Sequence, residues 1–103
     1  MAYRVELTPL AQEDLKRIYA TVVREAPYRG PVWFDRFERA ILSLSNFPER
    51  CMIVPSLSTS EQPVRQLLFG RRRRVYRIYF AVFEGVVRVV HVRHGARKEP
   101  RRL

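Results

Sequence analysis

The chain has 103 residues, 47% of them hydrophobic, which is enough for a single domain with one compact core. Cys51 is the only cysteine, no apolar run approaches the roughly 20 residues of a membrane span, and the N-terminus has no hydrophobic signal core. These features argue against a disulfide framework and a membrane protein, and we expect one soluble, cytoplasmic domain over residues 1–103.

The formal net charge of +10 is concentrated in the C-terminal third of the chain. Residues 1–64 contain eight basic and eight acidic residues, whereas residues 65–103 contain twelve basic residues and only Glu84 and Glu99 as acids. Eighteen of the 20 basic residues are arginine, whose planar guanidinium fits a carboxylate or a phosphate through two hydrogen bonds. The concentration predicts a polyanion or an acidic protein segment as partner, with a merely solubilising surface as the alternative.

The first elements in chain order are a strand and a helix. Residues 3–7 alternate apolar and polar side chains, as in a strand with one buried face. Thr8 and Pro9 then supply a helix N-cap and a proline at the first helical position. Apolar residues at helical spacing continue to about Glu25, where we expect the helix to end.

The remaining elements complete an α+β fold. After the break at "APYRGP", residues 33–47 predict a second helix, antiparallel to the first, and residues 48–63 predict an irregular connection. Residues 64–69, 74–83 and 86–93 predict three sequential antiparallel strands, and a basic tail follows from about residue 96. The order is β-α-α-β-β-β, an antiparallel sheet with a helical hairpin packed on one face.

The predicted strand 74–83 has two different faces. One row of alternating residues is apolar and suits the helices, whereas the other contains Arg77 and Tyr79. Because the hairpin covers only one face of the sheet, we expect the mixed row to lie on an open face as a binding surface. A solvated arginine above a structural aromatic layer is the alternative.

Five segments in this order resemble the RelE/ParE superfamily of type II toxin-antitoxin toxins, which includes proteins labelled plasmid stabilisation. They are "YRVELTPLAQEDLKRIY", "WFDRFERAILSLSNFPE", "VRQLLFG", "YRIYFAV" and "VVHVRHGAR", and they extend from Tyr3 to about Arg97. The resemblance implies the same β-α-α-β-β-β fold and a single toxin domain that inhibits growth until a cognate antitoxin neutralises it.

The resemblance also implies two possible targets. ParE-like members inhibit DNA gyrase through protein contact, and this branch is the leading interpretation because "RHGAR" resembles the ending of ParE-like chains. RelE-like members cleave messenger RNA on the ribosome, which is the alternative. A non-catalytic RNA- or ribosome-binding module is a further alternative that the basic third of the chain would also suit.

The predicted antitoxin- or target-binding residues come from the basic third of the chain. They are Arg71, Arg72, Arg73, Arg74, Arg77, Tyr79, Arg93, Arg97 and Lys98. We expect the antitoxin to lay an amphipathic helix or strand across this surface.

Whether the chain is an enzyme is left open by the sequence. RNA cleavage needs groups that transfer protons as well as cations, and arginine serves only as a cation because it stays protonated. If the chain is a ribonuclease, the resemblance assigns the site to Arg65, Arg77, His94 and Arg97, with His91, Lys98 and Tyr76 as further candidates for proton transfer.

Two features weaken the ribonuclease interpretation. The segment "KEPRRL" after Arg97 lacks the tyrosine or histidine that ribonuclease members often carry there, and His94 can serve as a strand-end structural residue. The spacing of Cys51, His91 and His94 is no recognisable zinc motif. We therefore expect no metal, no cofactor and no small-molecule substrate.

Overall fold

The computed structural model describes residues 2–72 and 74–95. Its elements in chain order are β1 (Arg4–Leu7), α1 (Pro9–Glu25), α2 (Arg29–Leu42), β2 (Met52–Ile53), β3 (Arg65–Phe69), β4 (Tyr76–Phe83) and β5 (Val86–His94). Short 3₁₀ turns occupy Ser43–Ser45, Pro48–Arg50 and Pro55–Leu57. This is the predicted α+β order with one additional short strand, β2.

Helix α1 begins and ends where the sequence predicts. The Thr8 hydroxyl accepts a hydrogen bond from the Ala11 amide at 3.1 Å and so caps one of the free N–H groups of the first turn. Pro9 occupies the first turn, where its missing N–H leaves no helical bond unmade.

Helix α2 begins four residues earlier than predicted, at Arg29. Pro31 lies in its first turn, where no N–H is needed, so the "APYRGP" break is confined to residues 26–28. Gly30 lies against α1, since a Cβ atom built on it would be 2.4 Å from the Val22 carbonyl oxygen. The close approach of the two helices therefore requires glycine at this position.

The five strands form one sheet in the order β1-β5-β4-β3-β2. The pairs β2–β3, β3–β4 and β4–β5 are antiparallel, and a two-residue turn at Glu84-Gly85 joins β4 to β5. Strand β1 pairs with β5 in parallel, from Arg4 opposite Val86 to Leu7 opposite Val89. The sheet is therefore mostly antiparallel, with a parallel pair at one edge.

The main core lies between the helices and the sheet. Phe37 of α2 is fully buried and its ring contacts those of Trp33, Phe34, Phe69 and Tyr76, with centroids 5.2–5.9 Å apart. The buried sheet residues of this cluster include Ile78, Phe80, Val87, Val89 and Val92. The apolar row predicted for the strand 74–83 thus faces the helices.

The opposite face of the sheet is partly covered, which corrects the predicted open face. The connection between β2 and β3 lies against it, and Val54, Leu57 and Val64 pack with Tyr79 and Val90. Tyr79 is 0% exposed, so its prediction as a contact residue is wrong. Burying these apolar residues over a ring gives the connection a core of its own, which its proline and serine content does not reveal.

A bulge in β5 changes which of its residues face the helices. Tyr79 pairs with His91 but Phe80 pairs with Val89, so Val90 is an extra residue in β5. Past the bulge Val92 points into the main core, and His91 lies at the edge of the sheet near α1.

Neither helix within the described residues is long and apolar enough to cross a membrane.

A basic groove between the helices and the sheet

Three adjoining clefts form one groove at the end of the sheet where β3 and β5 end. The first, of about 640 Å³, lies beside α1 and β5, and the second, of about 810 Å³, lies beside α2 and the turn after β3. A small cleft joins them, sharing Thr21, Tyr76 and His94 with the first and Trp33 and Arg74 with the second. We call the whole the basic groove, because Arg17, Arg36, Arg71, Arg72, Arg74 and Arg93 line it.

The turn after β3 carries the arginines of the second cleft. The Arg74 amide donates to the Arg71 carbonyl at 3.0 Å, and a Cβ on Gly70, whose φ is +109°, would be 1.8 Å from the Arg74 carbonyl oxygen. Arg72 has a φ of +56°, a left-handed conformation that costs a non-glycine residue about 1–2 kcal/mol. A tight, strained turn therefore holds these side chains beside the groove.

The second cleft combines these arginines with an aromatic wall made by Trp33 and Phe69. The two rings meet edge to face at 5.6 Å, and Trp33 also stacks on Phe37 at 5.2 Å. Arg74 forms an ion pair with Glu25 of α1 at 3.3 Å, which ties the turn to the helix. The cleft can therefore hold an apolar side chain against the rings while guanidinium groups bind an anion at its rim.

Several guanidinium groups of the second cleft have no acidic partner among the described residues. Among residues 2–72 and 74–95, no carboxylate lies within 4.0 Å of Arg36, Arg71 or Arg72. Like charges gathered in this way repel one another and attract an anion. The electrostatics of the groove thus favour an acidic ligand.

The first cleft contains a buried carboxylate, that of Asp14. Strand β1 ends at Leu7 and the chain turns into α1, so the outer edge of β5 loses its strand neighbour there. Asp14, 2% exposed, occupies this place, and its Oδ2 accepts hydrogen bonds from the Val92 amide at 2.9 Å and from His91 Nδ1 at 2.5 Å. Arg17 lies 3.5 Å from the other oxygen. The carboxylate therefore completes the edge of the sheet and fixes the His91 ring.

The geometry of this pair defines the chemistry open to His91. A carboxylate only accepts, so Nδ1 carries the proton and Nε2 is the remaining nitrogen that can accept one. The side chain is 18% exposed and lines the first cleft. An imidazole oriented by a buried carboxylate is also the arrangement of a general base.

His94 and Tyr76 lie where the first cleft joins the small one. They pair across β5 and β4, and their rings meet edge to face at 5.0 Å. Burial raises the pKa of the Tyr76 phenol, with the Arg74 charge acting in the opposite direction. Tyr76 therefore stays protonated at neutral pH and is a poor base.

The ribonuclease candidates within the described residues do not converge. Arg65 pairs with Phe80 on the helix side of the sheet, and its guanidinium donates to the carbonyls of Glu49 at 3.0 Å and Cys51 at 2.7 Å. Arg77 lies on the opposite face and donates to Gln66 at 3.2 Å. His94 is also on the helix side, but it pairs with Tyr76 at the start of β4, whereas Arg65 pairs with Phe80 further along that strand.

The structure divides the predicted binding residues among three places. Arg71, Arg72 and Arg74 line the second cleft and Arg93 the first. Arg77 lies on the far face of the sheet, directly opposite Arg93 in register. Predictions for Arg73, Arg97 and Lys98 fall outside the described residues.

Sequence reasoning missed the contribution of the helices to the groove. Arg17, Trp33 and Arg36 lie on α1 and α2, whereas every binding residue named from the sequence lies in the basic third of the chain. Trp33 and Arg36 are three residues apart on α2, and this spacing places them on one side of a helix. Within the described ranges, no cluster of three His, Cys, Asp or Glu side chains could hold a metal ion.

The fold of this chain is similar to that of known proteins. A structure described as a chromosomal ParDE toxin-antitoxin system from P. aeruginosa is similar with a TM-score of 0.69 and 19% identity, over 90% of this chain and 96% of that one. A mutant of the E. coli toxin RelE in the free state is similar with a TM-score of 0.58 and 17% identity, over 90% and 83% of the two chains. A comparison with curated protein sequences finds no significant match.

The family assignment comes from the sequence itself. A family model described as "ParE toxin of type II toxin-antitoxin system, parDE" matches residues 5–99, nearly the whole chain. The two solved structures described above share the fold of this chain. The chain therefore belongs to the ParE toxin family of type II toxin-antitoxin systems.

Proposed function

We propose that this toxin inhibits DNA gyrase by protein contact through the basic groove, and that a cognate antitoxin neutralises it in the cytoplasm. We favour gyrase over messenger RNA as the target because Arg65, Arg77 and His94 lie apart. Cleavage of RNA needs a base, an acid and a cation around one phosphate, whereas Arg65 holds the carbonyls of Glu49 and Cys51 and Arg77 lies on the other face. Binding to a protein requires no such convergence.

The groove suits a large acidic partner. Its three clefts adjoin one another, and its arginines outnumber the two carboxylates that line it among the described residues, of which Asp14 is buried and Glu25 is paired with Arg74. Association with such a surface is accelerated by charge and slowed by salt. The same groove can serve the antitoxin, which would then block the target by occupying it.

A supercoiling assay with purified gyrase tests the proposal. We expect the wild-type chain to inhibit supercoiling, and Arg71→Ser with Arg72→Ser to weaken inhibition about tenfold, because two unpaired guanidiniums would each lose a charge-assisted contact. The change leaves the Arg74–Glu25 ion pair in place.

The matched control is Arg4→Ser with Arg88→Ser. It removes the same charge from the β1–β5 edge, where both arginines lie near Glu6 and are well exposed. Inhibition should remain within about twofold of wild type, since exposed pairs contribute little. Unchanged supercoiling in the presence of the wild-type chain would contradict gyrase as the target.

One observation favours cleavage of messenger RNA as a second candidate. Asp14 and His91 form an oriented acid-base pair in a cleft that Arg17 and Arg93 also line. In such a reaction His91 Nε2 would take the proton of a ribose 2′-OH as the 2′-oxygen bonds to phosphorus, and the arginines would stabilise the charged phosphorane. The P–O5′ bond would then break to leave a 2′,3′-cyclic phosphate, and the 5′-oxygen would take a proton from solvent.

Translating ribosomes with a defined messenger RNA distinguish the two candidates. We expect the messenger to stay full-length, as read by primer extension. Shortened products that disappear with His91→Gln, while circular dichroism shows that the variant is folded, would mean that the toxin cleaves messenger RNA.

A further inference from the structure

The turn after β3 contains an unfavourable residue choice. Arg72 lies at the second position of the Arg71–Arg74 turn with a φ of +56°, in turn types where glycine and asparagine dominate. Gly70 comes directly before this turn, and a Cβ on it would be 1.8 Å from the Arg74 carbonyl oxygen, so the backbone is tightly constrained here. An arginine at position 72 therefore stabilises the fold less than glycine would.

The other left-handed non-glycine residues provide a comparison. Phe47 has a φ of +48°, and Arg50 donates to its carbonyl at 3.1 Å, which holds that loop in place. Glu84, also at +48°, begins the two-residue turn that joins β4 to β5. No hydrogen bond or ion pair of the Arg72 side chain is present within residues 2–72 and 74–95, so the guanidinium does not offset the strain inside the protein.

The groups around Arg72 indicate what kind of ligand would offset its backbone strain. Arg36 and Arg71 line the same cleft, and no carboxylate of residues 2–72 or 74–95 lies within 4.0 Å of either, so a ligand with several negative charges lowers their mutual repulsion. Trp33 and Phe69 offer an apolar wall beside them. A ligand with an apolar side chain flanked by carboxylates satisfies both parts of the cleft.

A protein segment fits this cleft better than single-stranded RNA does. Nucleic acid bound through stacking needs an aromatic face open to a base. Trp33 already stacks on Phe37 at 5.2 Å, and it also contacts Phe69 at 5.6 Å and Tyr76 at 5.4 Å. The wall is therefore a set of packed rings suited to an aliphatic or aromatic side chain.

We propose that Arg72 is retained in its strained conformation to bind an acidic segment of the antitoxin, whose apolar side chain packs against Trp33 and Phe69. The inference rests on the proposed function, because it specifies the antitoxin's chemistry. Binding and stability therefore favour different residues at position 72. Glycine there should increase the stability of the fold and weaken binding of the antitoxin segment.

Trp33 gives a direct measurement because it is the only tryptophan in the chain and lies in this cleft. The probe is a short synthetic peptide with phenylalanine flanked by glutamates, and its controls are the same peptide with serine for phenylalanine and an oligouridylate of equal charge. We expect the first peptide to change Trp33 fluorescence at physiological ionic strength, and the other two to bind at least about tenfold more weakly.

Three variants separate strain from charge. Arg72→Gly removes both, Arg72→Ala removes the charge and keeps the left-handed strain, and Glu84→Gly relaxes a turn far from the groove. We expect Arg72→Gly and Glu84→Gly to raise the melting temperature by about 2–6 °C and Arg72→Ala to raise it less. Both Arg72 variants should bind the peptide about five- to tenfold more weakly, and Glu84→Gly should bind it normally.

The inference would be overturned if Arg72→Gly bound the peptide like wild type, if it lowered the melting temperature, or if the oligouridylate bound more tightly than the peptide. None of these measurements includes gyrase. A negative result in the peptide experiments would therefore not contradict gyrase as the target. A negative supercoiling result would likewise not contradict peptide binding at Arg72.

Discussion

Asp14→Ala is expected to lower the free energy of unfolding by about 3 kcal/mol. The carboxylate is buried and accepts hydrogen bonds from the Val92 amide and His91, at an edge of β5 that no strand covers. Alanine would leave the Val92 amide without its acceptor and His91 without its orienting group. Urea denaturation followed by circular dichroism measures the change.

Two variants make the Asp14 result specific. Asp14→Asn keeps an oxygen that can accept from the Val92 amide but loses the charge, so we expect about half the loss. Glu13→Ala changes the neighbouring residue, whose exposed ion pair with Lys16 contributes little, and should cost less than about 0.5 kcal/mol. Equal stability of Asp14→Ala and wild type would show that β5 keeps its edge without the carboxylate.

Phe37→Ala is expected to have the largest effect on stability, a loss of about 4 kcal/mol. The side chain is fully buried and joins α2 to the sheet through contacts with Trp33, Phe69 and Tyr76. Removing its ring leaves a cavity that surrounding rings fill only in part. The same urea experiment applies, and the Trp33 emission should shift because its stacking partner is lost.

Phe83→Ala is the matched control for Phe37→Ala. Phe83 is 66% exposed at the end of β4, so truncating it removes the same atoms without forming a cavity. We expect a loss below about 1 kcal/mol. Similar losses in the two variants would mean that the packing between α2 and the sheet is not what stabilises the fold.

The element order could be predicted because its signals are local. Thr8 and Pro9 define the start of α1, and the period-two pattern defines the strands. The start of α2 was predicted too late because proline is a break signal only outside the first turn of a helix, and Pro31 lies within it. Local sequence patterns therefore predict which helices and strands form more accurately than they predict where each one begins and ends.

The site was harder to predict because it depends on contacts between distant residues. The arginine-rich turn was recognisable as four consecutive residues, but the pairing of Asp14 with His91 links α1 to the last strand, and no spacing rule indicates it. Tyr79 was assigned to an open face because the connection after β2 gave no sign that it covers the sheet. Strand alternation places a residue on a face but does not say what lies above that face.

The parallel pairing of β1 with β5 has a consequence for synthesis in the cell. Strand β1 pairs with β5, so this ladder cannot form until residues 86–89 have emerged from the ribosome. Contacts between the two ends of a chain carry a large loop-closure cost and slow folding. A nascent chain therefore lacks the β1–β5 ladder until β5 has been made, which gives an antitoxin already present time to meet the toxin as it folds.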